Sequence, residues 1–372
     1  MRVIIAGGGT GGHLFPGLAI AEEFKRRNEM TEVIFVGTEH GIEAKVIPKE
    51  GFPIKFLRAE GMMGVSVYRR ITAAARMGIS FLDSYRIIKL VNPDIMIGVG
   101  GYASGTIMLI GAFMSIPTMI LEQNCIPGFT NKILGKFADT ICLTYQESTP
   151  FFPKEKTFLT GNPVRTHILK GSKESAYRFF SLEENLFTVF VFGGSLGARS
   201  INKAVIESLQ YLHDLKEKIQ FLHQTGSSDY EYARNAFREF GFKGMISPFI
   251  YQMGEAYAVS DIVISRAGAT TLAELTSLGK PAVLIPYPYA TGQHQELNAR
   301  KLSGMGAAKM ILDSELSGES LAHAIRELYE NKAMRTEMQK NSRVLGKPEA
   351  GEKVVDIAMS LIKKDRNEKR KN

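Results

Sequence analysis

Three stretches of this 372-residue chain combine small residues in the way an anion site requires. The first is Gly7-Gly8-Gly9-Thr10-Gly11-Gly12-His13, between an apolar strand and a helix. Residues without bulk let backbone N–H groups approach a pyrophosphate, and the helix N-terminus adds a partial positive charge. No GK[ST] follows, so this is not a Walker A loop. The plainer alternative is a tight turn in which His13 makes a helix N-terminal hydrogen bond. The second stretch, Gly193-Gly194-Ser195-Leu196-Gly197-Ala198-Arg199, stands at the mirrored place in the second half of the chain, with Ser195 as a hydroxyl donor. The third, Ser265-Arg266-Ala267-Gly268-Ala269-Thr270-Thr271-Leu272-Ala273-Glu274, also opens a helix. Glu274 lies one turn in, on the face of Thr270 and Thr271. A carboxylate there can accept both hydroxyls of a ribose, or it can simply satisfy the helix macrodipole.

Amide side chains read sugar hydroxyls because each both donates and accepts. Two candidates are Gln293-His294-Gln295-Glu296-Leu297-Asn298-Ala299 and the strand end Leu121-Glu122-Gln123-Asn124, which adds a carboxylate. A dinucleotide fingerprint wants an acid at the end of the strand after its glycine loop. The strand after the second loop ends in Leu222-His223-Gln224, which weighs against NAD and an oxidoreductase. The chain has no DxD triplet to hold a divalent ion on a nucleotide diphosphate. Helix dipoles and cationic side chains are the expected stabilisers of a leaving group, with no cofactor and no essential metal. The histidine spacing suggests no zinc site.

These residues need rigid elements behind them. Arg2–Ala6 reads as a strand, followed by the glycine loop and a helix from about Gly17 to Arg27. Apolar runs at Val33–Gly37, Ile54–Leu57, Ile95–Val99, Thr118–Leu121 and Thr140–Leu143 continue the series, with a short helix at Thr106–Met114. The pattern restarts at Phe187–Phe192, with a helix from about Ser200 and strands near Ile219–His223, Asp261–Ser265 and Ala282–Pro286. Alternation of this kind, with continuously apolar strands, predicts parallel sheets covered on both faces. The fold class is α/β: two Rossmann-like domains in tandem, residues 1–164 and 165–345, their parallel sheets facing across a cleft. The linker lies near Thr160–Thr166. A last amphipathic helix, about Glu349 to Lys363, follows Gly346-Lys347-Pro348, and segment 346–363 is expected to pack back on the first domain.

The two cysteines, Cys125 and Cys142, make no disulfide framework and suit a reducing compartment. Residues 95–121 carry no charge, but six interrupting Gly and Pro residues divide them into strand, turn, helix and strand rather than a membrane span. The net charge is +8, and half of it sits in Lys363–Asn372. This tail is either a frayed solvated end or an attraction to an anionic surface. No nucleic-acid motif accompanies it.

GGGTGGH (Gly7–His13), VGGYASG (Val99–Gly105), EQN (Glu122–Asn124), GNPVR (Gly161–Arg165), GGSLGA (Gly193–Ala198), SRAGATT…E (Ser265–Glu274) and HQELNA (His294–Ala299) occur in this order over nearly the whole chain. The set resembles the MurG family, the UDP-N-acetylglucosamine:undecaprenyl-diphospho-muramoylpentapeptide N-acetylglucosaminyltransferases. The resemblance implies a GT-B fold and an inverting transfer of N-acetylglucosamine to the muramoyl C4 hydroxyl of lipid I, giving lipid II. It also implies peripheral attachment to an anionic membrane surface on the cytoplasmic side of the cell membrane, and no nucleic-acid partner. By the same resemblance the second domain binds UDP-N-acetylglucosamine and the first binds the undecaprenyl-diphosphate-linked muramoylpentapeptide. Ser195, Ala269 and Thr270 would meet the diphosphate, the backbone of Ile250 uracil, Glu274 the ribose, and Asn124 and Gln295 the sugar. Arg165 would approach the nucleotide, and Thr10, Gly11 and Gly12 would lie near phosphate or sugar. An inverting displacement needs a base, and His13 and Glu122 are the two candidates. The alternatives are a related enzyme with another lipid acceptor, a nucleotide-sugar 2-epimerase, or a nucleotide-sugar binding module without activity.

Membrane attachment has a candidate helix at Tyr68–Val91. Ile71, Ala75, Gly78, Leu82 and Tyr85 follow helical spacing and are expected to face the core. Met77, Ile79, Phe81 and Ile88 are then left for other faces, among Arg69, Arg70, Arg76, Arg86 and Lys89.

Overall fold

A computed structural model describes residues 1–58 and 67–369, with side chains except at 67–78 and 291. The chain divides into two compact units, Met1–Arg165 with Glu349–Asn372, and Thr166–Pro348.

The first unit is a seven-stranded parallel sheet: β1 (Arg2–Gly7), β2 (Glu32–Gly37), β3 (Ile54–Phe56), β4 (Ile95–Gly100), β5 (Thr118–Glu122), β6 (Thr140–Leu143) and β7 (Thr157–Leu159), in the order β3-β2-β1-β4-β5-β6-β7. Strand alternation sends Val3, Ile5, Phe35 and Ile97 to one face and Ile4, Ala6, Val36 and Met96 to the other. Both faces are covered, which is why the strands read as unbroken apolar runs. The order reverses between β1 and β4, the place where such sheets open a ligand crevice at the strand ends.

The helix Gly11–Arg27 covers the first face. It begins six residues earlier than expected and runs through Pro16. Proline has no N–H to give to the carbonyl four residues back. The helix nevertheless accommodates it, and His13 falls in the first turn rather than in a loop. A second early start occurs at Tyr102–Phe113, because Gly100 and Gly101, with φ of 96° and 82°, complete the turn out of β4 at once.

The last helix, Ala350–Lys369, belongs to this unit although the second unit precedes it in the chain. Val354, Val355, Ala358 and Ile362 enter the core beside Leu18 and Phe24. Each fully buried Val or Ile contributes about 1.5–3 kcal/mol. The ion pairs Arg27–Asp356 at 2.5 Å and Arg366–Asp94 at 2.7 Å are partly exposed and add little.

The helix Val67–Val91 is present, but its faces differ from the expectation. Leu82 and Tyr85 are 58% and 47% exposed, whereas Ile88 is buried with Ser80 and Ser84. Ser80 Oγ lies 2.9 Å from Thr106 Oγ1, and Ser84 Oγ donates to the Ser80 carbonyl. Small hydroxyl residues at i and i+4 let this helix press against Tyr102–Phe113, which turns the larger apolar residues outward. Of the other residues assigned to its faces, the side chains of Arg69, Arg70, Ile71, Ala75, Arg76, Met77 and Gly78 lie outside the described residues.

The second unit repeats the design with β8 (Phe187–Phe192), β9 (Ile219–Gln224), β10 (Lys243–Ser247), β11 (Ile262–Ser265), β12 (Ala282–Leu284) and β13 (Lys309–Met310), in the order β10-β9-β8-β11-β12-β13. Val189, Val191, Phe221, Ile262 and Ile264 form one core with the helices Arg199–Ser208 and Gly318–Glu330. On the other face Phe190 and Phe192 pack edge-on against the fully buried Tyr257. No helix among the described residues is long and apolar enough to cross a membrane.

Candidate active site

In the first unit the glycine loop leaves β1 at the point where the sheet order reverses. Gly7 and Gly100 pass so closely that a Cβ on Gly7 would stand 2.6 Å from the Gly100 carbonyl oxygen. A Cβ on Gly101 would stand 2.5 Å from the Gly8 carbonyl oxygen, so two glycine turns lie back to back. Beneath them Glu43 is 1% exposed. It accepts the Gly9 N–H at 2.8 Å, the Thr38 N–H at 2.9 Å and the Thr38 hydroxyl at 3.0 Å. One amide of the loop is therefore already engaged by a carboxylate. The exposed or half-buried turn Thr10-Gly11-Gly12 is the part of the loop presented outward. His13 is half-buried, with Nδ1 3.3 Å from Thr10 Oγ1 and its ring edge over Gly100.

Glu122 ends β5 at 2% exposure. Its Oε1 accepts the Asn124 N–H at 3.0 Å, and its Oε2 accepts the Gly128 N–H at 3.1 Å and Asn131 Nδ2 at 2.8 Å. Burial pushes the Glu122 carboxyl up from the ordinary carboxylate range, against the pull of these donors. The carboxylate thus holds the turn 123–128 in shape, and Asn124 is part of that turn. Gln123 donates to the Val99 carbonyl at 3.0 Å, which links this turn to the strand end beside His13. Arg165 also belongs to the first unit, with its guanidinium 4.1 Å above the Phe15 ring centroid.

In the second unit Ser195 is exposed on its glycine loop, and Ala269 and Thr270 open the helix Ala269–Leu278 after Gly268. Glu274 is buried on that helix, and Oε2 accepts the Tyr257 hydroxyl at 2.8 Å. The Ile250 N–H donates to Gln224 Oε1 at 2.8 Å, so the carbonyl is the group of Ile250 suited to a base. Gln295 Oε1 accepts the Tyr287 N–H at 3.0 Å. Arg266 fastens the loops together. Its guanidinium donates to Asp313 at 2.6 Å, to the Ile285 and Pro286 carbonyls, and to Ser200 Oγ at 2.8 Å. Ser200 Oγ donates in turn to Asp313 at 2.7 Å. The segments that follow β8, β11, β12 and β13 are thereby joined at one end of the sheet.

Two family models divide the chain between them. The glycosyltransferase family 28 N-terminal domain matches residues 3–143 and the C-terminal domain of that family matches 188–359. A protein of Thermodesulfovibrio yellowstonii named UDP-N-acetylglucosamine–N-acetylmuramyl-(pentapeptide) pyrophosphoryl-undecaprenol N-acetylglucosamine transferase is 50% identical over 366 residues, 98% of this chain and 100% of that protein. A protein of Myxococcus xanthus with the same name is 45% identical over 97% of this chain and 93% of its own length. The chain belongs to the MurG family. The crystal structure of Acinetobacter baumannii MurG, 28% identical, superposes with a TM-score of 0.75 over 96% of this chain and 99% of that one. A UDP-GlcNAc 2-epimerase from Neisseria meningitidis, 14% identical with a TM-score of 0.68 over 97% of this chain and 100% of that one, shares the fold alone.

Against the MurG motifs, the structure gathers Thr10, Gly11, Gly12 and His13 on one turn, and Glu122 and Asn124 on another, in the first unit. It gathers Ser195, Ile250, Ala269, Thr270, Glu274 and Gln295 in the second. Arg165 and Asn124, expected on the donor, sit in the first unit. Glu43, Asn131 and Gln224 were not among the expected site residues. Gln224 gave a signal only as a polar residue closing an apolar strand, and Glu43 gave none. No three His, Cys, Asp or Glu side chains gather for a metal ion among the described residues.

Proposed function

We propose that this enzyme moves N-acetylglucosamine from UDP-N-acetylglucosamine to the muramoyl C4 hydroxyl of the undecaprenyl-diphosphate-linked muramoylpentapeptide, with inversion. The observation that carries this reading is the near-full-length likeness to relatives named for that transfer, at up to 50% identity. The second unit binds the donor. Ser195 and the N-terminal amides of Ala269 and Thr270 meet the diphosphate, where helix dipole and hydroxyl stabilise the charge that grows as UDP leaves. Glu274, oriented by Tyr257, accepts from the ribose, and Gln295 reads the sugar. The first unit receives the acceptor near Thr10–Gly12.

His13 is the preferred base, because Glu122 has both oxygens engaged within its own turn. If His13 Nδ1–H donates to Thr10 Oγ1, Nε2 is the lone-pair nitrogen. The acceptor hydroxyl then gives its proton to Nε2. Its oxygen bonds to the anomeric carbon as the bond from that carbon to the UDP oxygen breaks. The diphosphate charge is met by backbone and hydroxyl groups, so transfer proceeds without an essential metal.

The test is a UDP-release assay with UDP-N-acetylglucosamine and a lipid I analogue, run with and without excess EDTA. Release that requires both substrates and survives EDTA is expected. Release that does not depend on the acceptor would overturn the transfer, and loss under EDTA restored by Mg²⁺ would overturn the metal-free step.

A further inference from the structure

Gln224 joins two loops that leave different strands of the second unit. It closes β9, between Phe192 of β8 and Ser247 of β10, and is 3% exposed. Nε2 donates to the Gly194 carbonyl at 2.8 Å, and Oε1 accepts the Ile250 N–H at 2.8 Å. One primary amide thus uses its donor on the loop after β8 and its acceptor on the loop after β10.

Each contact has a consequence for a ligand. In a trans peptide the C=O and the following N–H point in opposite directions. Holding the Gly194 carbonyl toward Gln224 therefore turns the Ser195 N–H away from it. Gly194 has φ 107°, a left-handed conformation that L side chains rarely adopt, so glycine is what allows its carbonyl to take this direction. The Gly197 N–H reaches the same carbonyl at 3.1 Å and closes the turn. At the other contact, the engaged Ile250 N–H leaves base reading to an acceptor, the Ile250 carbonyl. An acceptor suits the N3–H of uracil and opposes the N3 lone pair of cytosine.

We propose that Gln224 is the positioning residue that sets both uracil selectivity and the diphosphate-binding geometry of the glycine loop. This rests on the reading that a uridine diphosphate binds across these loops. The ligand class is a nucleoside diphosphate whose base donates at N3.

Calorimetric titration of the full chain with UDP and with CDP tests it, using Gln224→Met and Gln224→Glu. The wild type prefers UDP. Gln224→Met keeps the shape and loses both hydrogen bonds. It weakens UDP binding by about tenfold, the scale of one or two lost hydrogen bonds, and narrows the UDP-to-CDP ratio. Gln224→Glu, titrated at a pH high enough to ionise the buried carboxyl, keeps an acceptor for Ile250 and loses the donor to Gly194. It therefore weakens UDP binding but preserves the ratio, an asymmetry that general destabilisation does not produce. Unchanged UDP affinity in either variant overturns the inference, as does an equal change in ratio for both. If Gln224→Met does not fold, the glutamate variant alone decides between preserved and lost selectivity. A wild type that fails to distinguish UDP from CDP overturns the nucleotide reading itself.

Discussion

His13 and Glu122 stand at the same end of one sheet, and their surroundings give them different work. Glu122 is enclosed by donors from residues 124–131, so its first task is to hold a turn. His13 sits half-buried in the first turn of its helix, with Nδ1 3.3 Å from Thr10 Oγ1. His13→Ala is expected to lower kcat by about 10²-fold or more, the range of general-base catalysis. Glu122→Gln is expected to lower thermal stability and to reduce kcat far less. A His13→Ala kcat within about threefold of wild type would exclude His13 as the base. His223 offers a separate titration. Asn202 Nδ2 donates to the Thr225 carbonyl at 2.7 Å and to Asp229 at 2.8 Å, so Asn202 Oδ1 accepts from His223 Nε2–H at 3.0 Å. Complete burial pushes the His223 pKa down to about 3 from 6.5. The folded state then binds fewer protons than the unfolded chain between these values. Its contribution to stability is full above about pH 6.5 and is lost as pH falls toward about 3, by up to ~1.4 kcal/mol per pH unit. Denaturant unfolding across this window should show a shallower acid loss in His223→Gln. An identical slope in the two proteins would assign the acid loss to other groups.

At the scale of elements, the glycine loops were legible because strand, small residues and helix follow one another directly in the sequence. The parallel strands were legible because both faces are buried. Helix beginnings were less so: the helix expected from about Gly17 starts at Gly11 and runs through Pro16. The face of Val67–Val91 that packs inward was not legible: helical spacing puts Leu82 and Tyr85 in the core, but Ser80 and Ser84 are buried instead, because close helix packing takes small residues that can bond locally. Glu43 and Gln224 were illegible for a related reason. Apart from Thr38 beside Glu43, their partners are the Gly9 and Ile250 N–H groups and the Gly194 carbonyl, 26 to 34 residues away, and backbone groups leave no mark in side-chain pattern. The same outward turn of Leu82 changes the candidate membrane surface. Leu82, Phe113 and Phe129 are exposed, and the Phe113 ring packs at a tilt of 57° against Phe137, 5.8 Å between centroids. Arg86, Lys89, Lys132 and Lys136 lie on the same or neighbouring segments. Apolar side chains among cations suit anionic headgroups. Leu82→Ser with Phe113→Ser should reduce co-sedimentation with anionic vesicles several-fold and leave UDP affinity unchanged. Equal sedimentation of variant and wild type would show that these residues hold no membrane.

At the scale of the whole molecule, the chain returns to its first unit after completing the second. The apolar side of Ala350–Lys369 is the reason, since Val354, Val355, Ala358 and Ile362 fill the core that Gly11–Arg27 begins. Their burial amounts to several kcal/mol, against about 5–15 kcal/mol of net stability for a typical domain. Deleting residues 349–372 should therefore make the first unit sensitive to limited proteolysis while Thr166–Pro348 stays protected. Equal protection of both units would show that the helix is dispensable. Transfer of one sugar from a nucleotide to a lipid-linked acceptor is decided by the product. Purified enzyme, UDP-N-acetylglucosamine and a lipid I analogue should yield, by mass spectrometry, an acceptor heavier by one N-acetylglucosamine residue, together with UDP. An acceptor of unchanged mass, with the donor intact or epimerised, would contradict the account.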